Sequence, residues 1–199
     1  NYIDDGNFYD FHKNYEDILC ETYDVTNVIN IYYFNSVTTW GGGTICGYSR
    51  FPPSVDRIIM DNSCALNGST LSHELGHYFS LYHTHGPTNS GTTTELVNGS
   101  NCTTDGDELC DTPADPNLSG VVDFNCDYTD SITDVNGDAY MPDTSNIMSY
   151  SLKACRNSLS LEQYNRINFS IINDRWYLIC GPIFGCTDSL ATNYNSNAS

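Results

Sequence analysis

The sequence has 199 residues, which is enough for one domain with a buried core. Apolar residues make up 39% of it and charged residues only 16%, a composition typical of a globular protein and not of a disordered one. Seven basic and 25 acidic residues give a formal net charge of −18. Such a surface repels nucleic acid and anionic membranes, and no apolar run approaches the length of a membrane span. Nucleic-acid binding and membrane insertion are therefore excluded.

The nine cysteines are too many for an ordinary cytosolic protein of this length. No Cys-x-x-Cys occurs, so disulfides in an oxidising compartment explain the cysteines better than a zinc ribbon does. The N-terminus begins Asn1-Tyr2-Ile3 and has neither a basic region nor an initiator Met. These features predict a secreted protein in mature form.

Three segments in the first third of the chain predict strands. Residues 28–34 form a β-branched and aromatic run typical of a buried strand. Trp40 and three glycines then interrupt the chain, and residues 44–49 predict a second strand, which ends before Pro52. Residues 57–61 predict a third strand.

Two helices and one long irregular region are predicted in the remainder. The first helix begins near Ser69, with Ser69 or Thr70 as its cap. Its apolar stripe consists of Leu71, Leu75, Tyr78 and Phe79. The second helix runs from Ser160 to about residue 172, with an apolar stripe of Leu161, Tyr164, Ile167 and Ile171. Residues 84–146 show little periodicity, and a loop region of that length requires disulfides or bound ions.

The last residues, 181–199, differ in character from the rest. Gly185-Cys186-Thr187-Asp188 and the Asn-rich residues after it resemble the opening of a short Cys-bounded repeat of secreted bacterial proteins. The closing cysteine of that repeat is missing, which fits a natural product that continues further. The alternative is that Cys186 pairs elsewhere in the chain.

Metal-ligand chemistry is concentrated in the His-Glu-x-x-His segment within the first helix. Residues at positions i and i+4 share a helix face, so His73 and His77 can present their imidazoles to one metal ion. Glu74 lies next to His73 and can reach a water on that metal without ligating it. The alternative for such a segment is a pair of core histidines with satisfied hydrogen bonds.

His83 is the expected third ligand, on condition that the helix ends before it. A continuous helix would put His83 about 15 Å beyond His73, too far for one zinc ion. The chain must therefore turn between His77 and His83, and the turning position is Ser80, where the longer metal-binding signature has glycine. We expect Ser80 to adopt a left-handed conformation, at a cost on the order of 1 kcal/mol, or to turn slightly differently. The two other histidines, His12 and His85, are predicted to be surface or hydrogen-bonding residues.

A second motif lies 65 residues after His83. Asn146-Ile147-Met148-Ser149-Tyr150 resembles the Met-turn of metzincins, in which a methionine lies beneath the zinc ligands. A lone Met in a loop usually fills a core, so Met148 is informative only because it follows the histidine motif. The same resemblance implies that Tyr150 can swing toward the metal.

With both motifs, the chain resembles the pappalysin (cytophagalysin) family of metzincin zinc metalloendopeptidases over residues 25–175. Residues 43–52 look like the family's edge strand, and the Gly-Asp-Glu-Leu-Cys-Asp-Thr-Pro segment at 106–113 looks like the segment that follows the third ligand. Residues 160–164 resemble the start of its C-terminal helix. The resemblance implies an α+β, metzincin-like (zincin) fold. Such a fold has a twisted mixed β-sheet, an active-site helix and an irregular lower subdomain stabilised by disulfides and calcium.

The domain organisation follows from this resemblance. We expect a catalytic domain over residues 1–180, with an upper subdomain at about 1–83 and a lower one at about 84–180, and then the tail at 181–199. The family also implies a structural calcium ion near Asp107 and Thr112, since carboxylates and hydroxyls suit a hard cation. A solvated acidic loop is the alternative.

The six cysteines within the resembling region are expected to pair. Cys46 and Cys64 flank neighbouring strands and could bridge them. Cys102–Cys110 and Cys126–Cys155 are the pairs expected in the irregular region, where bridges would replace a core that loops cannot supply. Sequence alone does not determine this connectivity.

The predicted function is that of a secreted, monomeric, zinc-dependent endopeptidase acting on a protein or peptide. One zinc ion held by three neutral imidazoles lowers the pKa of its water, Glu74 takes that water's proton, and Tyr150 stabilises the oxyanion by analogy. The substrate would pair with the edge strand at Thr44, Cys46 and Tyr48. The alternatives are a catalytically inactive extracellular binding module stabilised by zinc and calcium, and a zinc hydrolase of another kind. Glu74 argues against the binding module, because a structural zinc site needs no general base.

Overall fold

The structure is a computed structural model that describes residues 6–66, 68–88 and 90–179. The tail expected at 181–199, with its Cys-bounded repeat, lies outside the described residues. The elements that position the site lie in the first 80 residues, followed by a long irregular region and one further helix.

Five short strands form two small sheets. The strands are β1 (Asp10–His12), β2 (Asn30–Phe34), β3 (Ser36–Thr38), β4 (Gly47–Ser49) and β5 (Arg57–Asp61). In the larger sheet the order is β2-β5-β4, with β2 parallel and β4 antiparallel to β5. Strands β1 and β3 pair in parallel as a second sheet. The predicted mixed sheet is therefore present, with β4 at its edge.

The three predicted strands are present at the predicted positions, but two of them are shorter than predicted. Strand β5 has the predicted bounds and is buried throughout, and β2 begins two residues later than predicted. Strand β4 is shorter than the predicted 44–49, because Thr44 forms only an isolated bridge to Thr38. Strands β1 and β3 were missed, since three residues are too few to show an alternating pattern.

Four helices accompany the sheets: α1 (Glu16–Tyr23), α2 (Asn62–Ala65), α3 (Thr70–Tyr78) and α4 (Leu161–Asn173). The apolar stripe predicted for α3 packs as expected, since its side chains cover Ile58 and Met60 of β5. Helices α1 and α2 were not predicted. No helix in the described part of the chain has the length and apolar character needed to cross a membrane.

The start of α3 differs from the predicted cap. Ser69 occupies the N-cap position but makes no capping hydrogen bond. Its hydroxyl instead donates to the Lys153 carbonyl at 3.1 Å, which ties the segment after residue 150 to the helix. Thr70 does not cap the helix either, because its buried hydroxyl has no hydrogen-bond partner among the described residues.

Helix α4 is present, but its buried face is not the predicted apolar stripe. Leu161 and Tyr164 are 71% and 53% exposed, whereas Gln163 and Ser170 are fully buried. Gln163 completes a capping box with Ser160 at the helix start. The Gln163 amide also exchanges hydrogen bonds with the Asn146 side chain, so polar partners decide which face of this helix is buried.

The described chain between α3 and α4 contains no regular helix or strand, as predicted for residues 84–146. Disulfides Cys102–Cys110 and Cys126–Cys155 cross-link it, and Cys46–Cys64 joins the β4 edge to α2. All three expected pairs are confirmed. A small apolar cluster that includes Leu118, Val122 and Cys155 is the core of this region. The free cysteine among the described residues is Cys20.

A buried carboxylate joins α1 to the larger sheet. Glu16 is 5% exposed and accepts hydrogen bonds from Arg50 at 2.7 Å, Tyr48 at 3.0 Å and Arg57 at 3.3 Å. Arg57 also pairs with Asp24 at 2.7 Å. Burial raises the pKa of Glu16, but the hydrogen bonds from Arg50 and Tyr48 and the charges of both arginines outweigh it, so the pKa is lowered overall.

We expect Glu16→Gln to lower the free energy of unfolding by on the order of 3 kcal/mol at pH 7, because it removes the charge that Arg50 and Arg57 share. A lowered folded-state pKa stabilises the protein above the unfolded value of about 4.3 and loses that contribution as the pH falls through the folded value. The difference between wild type and variant, measured by urea unfolding, should therefore shrink from pH 7 to pH 3. Asp17→Asn, an exposed change on the same helix, is the control and should have little effect at either pH. A Glu16→Gln protein as stable as wild type at pH 7 would contradict this role.

Candidate active site

A cleft of about 640 Å³ lies between the β4 edge and helix α3. Seven of the residues predicted from the sequence line it: Cys46, Tyr48, His73, Glu74, His77, His83 and Tyr150. Thr44, predicted as part of the substrate edge strand, does not line the cleft. Asp107, Thr112 and Met148 also lie away from its wall.

The three predicted metal ligands meet at one end of α3. A ring nitrogen from each of His73, His77 and His83 lies within 4.8 Å of the others, and this is the one such group of metal-binding side chains in the described part of the chain. The Nε2 atoms of His77 and His83 are 3.0 Å apart. All three side chains are at most 9% exposed.

The opposite nitrogen of each imidazole contacts a backbone carbonyl. Nδ1 lies 2.8 Å from the Ile147 oxygen in His73 and 2.7 Å from the Leu81 oxygen in His77. In His83 the partner is the Thr88 oxygen, at 3.3 Å. A carbonyl can only accept, so each Nδ1 carries the proton and donates it, which leaves each Nε2 with a free lone pair.

These converging lone pairs could hold a cation. Two unprotonated Nε2 atoms at 3.0 Å cannot hydrogen-bond to each other, and a cation between them would offset the repulsion of their lone pairs. Burial, with a smaller effect of His77, lowers the pKa of His73 to about 3, and burial lowers the pKa of His83 as well. The imidazoles are therefore neutral, as metal ligation requires, and the donor set suits zinc.

A helix-ending motif returns the chain to the site. The Leu81 N–H donates to the Gly76 carbonyl at 2.9 Å and the Ser80 N–H to the His77 carbonyl at 3.1 Å, the pattern of a Schellman motif. Ser80 has φ of 72°, so it adopts the left-handed conformation that was one of the two expectations. The turn also presents the Leu81 carbonyl to His77 and allows His83 to approach from outside the helix.

Glu74 projects into the cleft beside the histidines and is 7% exposed. Burial raises the pKa of Glu74 to about 7, whereas Arg156, Lys13 and a backbone hydrogen bond from Ser49 act in the opposite direction. A carboxyl with a pKa near neutrality can both take and return a proton, which suits a general base.

Aromatic contacts order the other side of the site. The Tyr150 ring centroid lies 4.6 Å from that of His83 and 4.8 Å from that of His85. His85 is 3% exposed, stacks on His83 at 5.0 Å, and contacts the Thr88 carbonyl through Nε2 at 3.1 Å. The prediction of a hydrogen-bonding role for His85 is confirmed, and a surface location is wrong. His12, the other remaining histidine, accepts a hydrogen bond from the Asn14 N–H at 3.1 Å.

Met148 packs beneath α3. Its side chain is fully buried, and its sulfur lies so close to Gly76 that a Cβ added at that glycine would overlap it. The Asn146 side chain accepts a hydrogen bond from the Met148 N–H at 2.9 Å, and the Met148 carbonyl accepts one from Thr84 at 3.3 Å. Met148 thus fills the space left by Gly76, between the turns of the helix that carry His73 and His77.

The predicted calcium residues lie together in the irregular region. Asp107 is 1% exposed and accepts hydrogen bonds from the Thr112 hydroxyl at 2.8 Å and the Leu109 N–H at 3.1 Å. Sequence reasoning missed Glu95, which is 2% exposed and whose Oε2 has no hydrogen-bond partner among the described residues. Burial, with smaller effects of Asp107 and the other acids nearby, raises the pKa of Glu95 to about 8.

Several polar residues of the cleft were not singled out as site residues, among them Thr70, Ser151, Lys153 and Arg156. Arg156 Nη1 is 3.1 Å from the Ser149 carbonyl and 3.4 Å from His73 Nδ1. The sequence did contain an indication of them: Lys153 and Arg156, two of only seven basic residues in the chain, come just after Tyr150.

We expect Gly76→Ala to lower the free energy of unfolding by about 1–2 kcal/mol, because the new Cβ would overlap the Met148 sulfur and lie 3.0 Å from its Cε. This is a net value after the gain in helix propensity of up to about 1 kcal/mol. Thermal and urea unfolding would measure it, with Gly41→Ala as the control, whose Cβ would have no neighbour closer than 4.0 Å. Unchanged or increased stability of the Gly76 variant would contradict the close packing of Met148 on the helix.

No protein-family model and no curated protein sequence matches the chain. Solved structures do. One is mirolysin in complex with compound 9, at 19% sequence identity and a TM-score of 0.55. Another is Tannerella forsythia mature mirolysin in complex with a cleaved peptide, at 20% identity and a TM-score of 0.54. Each alignment covers 85% of this chain and 65% of the mirolysin chain, so this chain spans less than two thirds of those structures.

At such identities the similarity concerns the fold. Each alignment covers most of this chain at a TM-score of 0.54 or more, so its mixed sheet and accompanying helices belong to a fold that mirolysin shares. The α+β, metzincin-like fold that the family resemblance implied is confirmed.

Proposed function

We propose that the protein is a zinc-dependent endopeptidase of the pappalysin type, with His73, His77 and His83 as the metal ligands. The observation that carries this proposal is the convergence of three neutral imidazoles beside the buried carboxyl of Glu74. The Nδ1 contacts with carbonyls hold each ring in the tautomer and orientation that ligation needs. A bound zinc ion would supply a Lewis acid and lower the pKa of a water molecule.

The roles of the side chains follow from their positions. Glu74 accepts a proton from the attacking water and passes it to the leaving amine nitrogen. Tyr150, whose ring is tilted against that of His83, is available to donate a hydrogen bond from its hydroxyl to the oxyanion of the tetrahedral intermediate. We propose that an extended peptide binds along the β4 edge, to whose cleft wall Cys46 and Tyr48 contribute. The Cys46 carbonyl already accepts a hydrogen bond from the Asp61 N–H at 2.9 Å, and Thr44 lies outside the cleft wall.

Other features are compatible with this proposal. The cleaved peptide in one of the mirolysin structures favours a peptide substrate for this chain. Three disulfides favour an oxidising compartment, and we propose that the protein is secreted. A monomeric state is part of the same proposal.

We expect the zinc-loaded protein to cleave denatured casein, and a zinc chelator followed by added zinc to stop and restore cleavage. Glu74→Gln should lower kcat by at least about 10²-fold while one zinc ion per chain stays bound, because Glu74 does not ligate the metal. The control is Glu21→Gln, which makes the same change at an exposed glutamate of α1. Metal content would be measured alongside peptide release.

Two outcomes would contradict this assignment. Turnover by Glu74→Gln equal to that of wild type would show that another group is the base. Bound zinc without cleavage of any substrate would favour the alternative of an inactive, zinc-stabilised binding module.

We also propose a structural calcium ion in the irregular region. The buried Glu95 and Asp107 carboxyls have raised pKa values, and Glu95 Oε2 is a buried acceptor with no partner on the described protein. A hard cation that binds oxygen would satisfy this acceptor and offset the repulsion between the two acids. The Thr112 hydroxyl already donates to Asp107, so it would support the site through that carboxylate.

Calcium at 100 times its Kd is expected to raise the free energy of unfolding by about 2.7 kcal/mol, seen as a higher Tm than in a calcium chelator. Glu95→Gln should abolish most of this shift, because the amide adds no charge. Glu108→Gln, at an exposed position of the same loop, is the matched control. An identical Tm with and without calcium would reject the ion and leave an acidic loop that binds no cation.

A further inference from the structure

The charge of the cleft is opposite to that of the whole protein. The chain carries a net charge of −18, yet four of its seven basic residues line the cleft: Lys13, Arg50, Lys153 and Arg156. Among the described residues of the cleft wall, Glu74 is the sole acid. Distant surface charges are screened over about 8 Å at physiological ionic strength, so a bound substrate would respond chiefly to these local cations.

Two of the four cations are already engaged. Arg50 pairs with the buried Glu16 at 2.7 Å. Lys13 lies over the Tyr48 ring, with Nζ 3.8 Å from its centroid. Lys153 and Arg156 have no salt bridge to any carboxylate among the described residues.

Lys153 and Arg156 belong to one group of donors, together with Thr70 and Ser151, which we call the basic pocket. Lys153 Nζ lies 2.8 Å from the Cys46 sulfur, and Arg156 Nη1 contacts the Ser149 carbonyl. Arg156 Nε is a buried donor without a hydrogen-bond partner on the described protein. A buried cationic donor without a partner is costly unless an anion compensates it.

The two hydroxyls of the basic pocket, like Arg156 Nε, are buried and unpaired on the described protein. Thr70 and Ser151 are 4% and 6% exposed, and both hydroxyl oxygens lack a hydrogen-bond partner among the described residues. Buried polar atoms in native proteins are nearly always paired. Two cations and two unpaired hydroxyls that line the same cleft form a donor set suited to a carboxylate.

The basic pocket lies close to the proposed scissile bond. Thr70 precedes His73 by three residues and so lies on the same face of α3. Arg156 Nη1 is 3.4 Å from His73 Nδ1, so a single imidazole ring separates the guanidinium from the metal-binding nitrogen. A side chain adjacent to the bond being cut would reach these donors.

We propose that the basic pocket binds the carboxylate of an acidic side chain next to the scissile bond, so that the enzyme selects Asp or Glu at one cleavage subsite. This inference rests on the proposed endopeptidase function and specifies its substrate class as acidic segments of proteins. A free C-terminal carboxylate has the same chemistry, and the test below separates the two sources.

The test uses acetylated and amidated peptides that differ only by Glu, Gln or Lys at each position flanking the bond. Hydrogen bonds to a charged group predict a kcat/KM at least about 10-fold higher for Glu than for Gln at one position. Lys153→Gln should reduce that ratio at least about 5-fold. Lys13→Gln removes the same charge elsewhere in the cleft and should leave the ratio unchanged. Equal rates for Glu and Gln, a preference for Lys, or a preference seen only with free C-termini would overturn the proposal.

Arg156 has a competing role, since its charge also favours the ionised form of Glu74. Loss of that effect would lower kcat for all peptides by the same factor, whereas loss of a specificity contact changes the ratio between Glu and Gln peptides. A uniform decrease in Arg156→Gln together with an unchanged ratio in Lys153→Gln would therefore reject the basic pocket as a specificity site.

A binding measurement keeps this inference separate from the proposed function. The zinc-loaded Glu74→Gln variant is titrated with the same capped peptides carrying a fluorescent label. Tighter binding of the Glu peptide by about 10-fold supports the basic pocket even if no peptide is ever cleaved, in which case only the endopeptidase proposal fails. Equal Kd values for Glu and Gln peptides would overturn the inference whatever the activity.

Discussion

The end of helix α3 is the constraint on which the rest of the site depends. His77 and His83 can approach within 3.0 Å of each other only because the chain leaves the helix after Tyr78 and turns at Ser80. The turn carries a backbone strain on the order of 1 kcal/mol for a residue other than glycine. The same turn presents the Leu81 carbonyl to His77, so one local structure both ends the helix and orients a proposed metal ligand.

Around this turn, polar contacts replace the apolar core that an irregular chain cannot build. Asn146 and Gln163 join the Met148 segment to α4, and Ser80 contacts Ser170 of the same helix at 3.1 Å. Charged pairs have a comparable role near the sheet, where Glu16 engages Arg50 and Arg57. Lys153 and Arg156 therefore differ from Arg50 and Arg57, since they form no salt bridge within the part of the chain that the structure describes.

Much of the candidate site could be predicted from local helix geometry and residue spacing in the sequence. The spacing of His73 and His77 placed both on one helix face, and the distance to His83 required a turn near Ser80, which is where the chain turns. The apolar run at 57–61 was long enough to predict β5 with its correct bounds. The metzincin-like fold came from the resemblance of several motifs together, and the three disulfide pairs came from the positions of the cysteines beside the strands and in the irregular region. The structure confirms both.

Tertiary structure alone decided the features that depend on partners distant in sequence. Gln163 and Ser170 became the buried face of α4 because their partners, Asn146 and Ser80, come from the other segments that surround the site. The Ser69 hydroxyl does not cap its helix, because it donates instead to the Lys153 carbonyl, 84 residues away. The three-residue strands and the basic pocket could not be predicted from the sequence either. Periodicity indicates which face of an element is apolar, but it does not indicate which elements come into contact. The sequence by itself thus determined which residues can bind a metal, and only the tertiary structure decided which donors surround it.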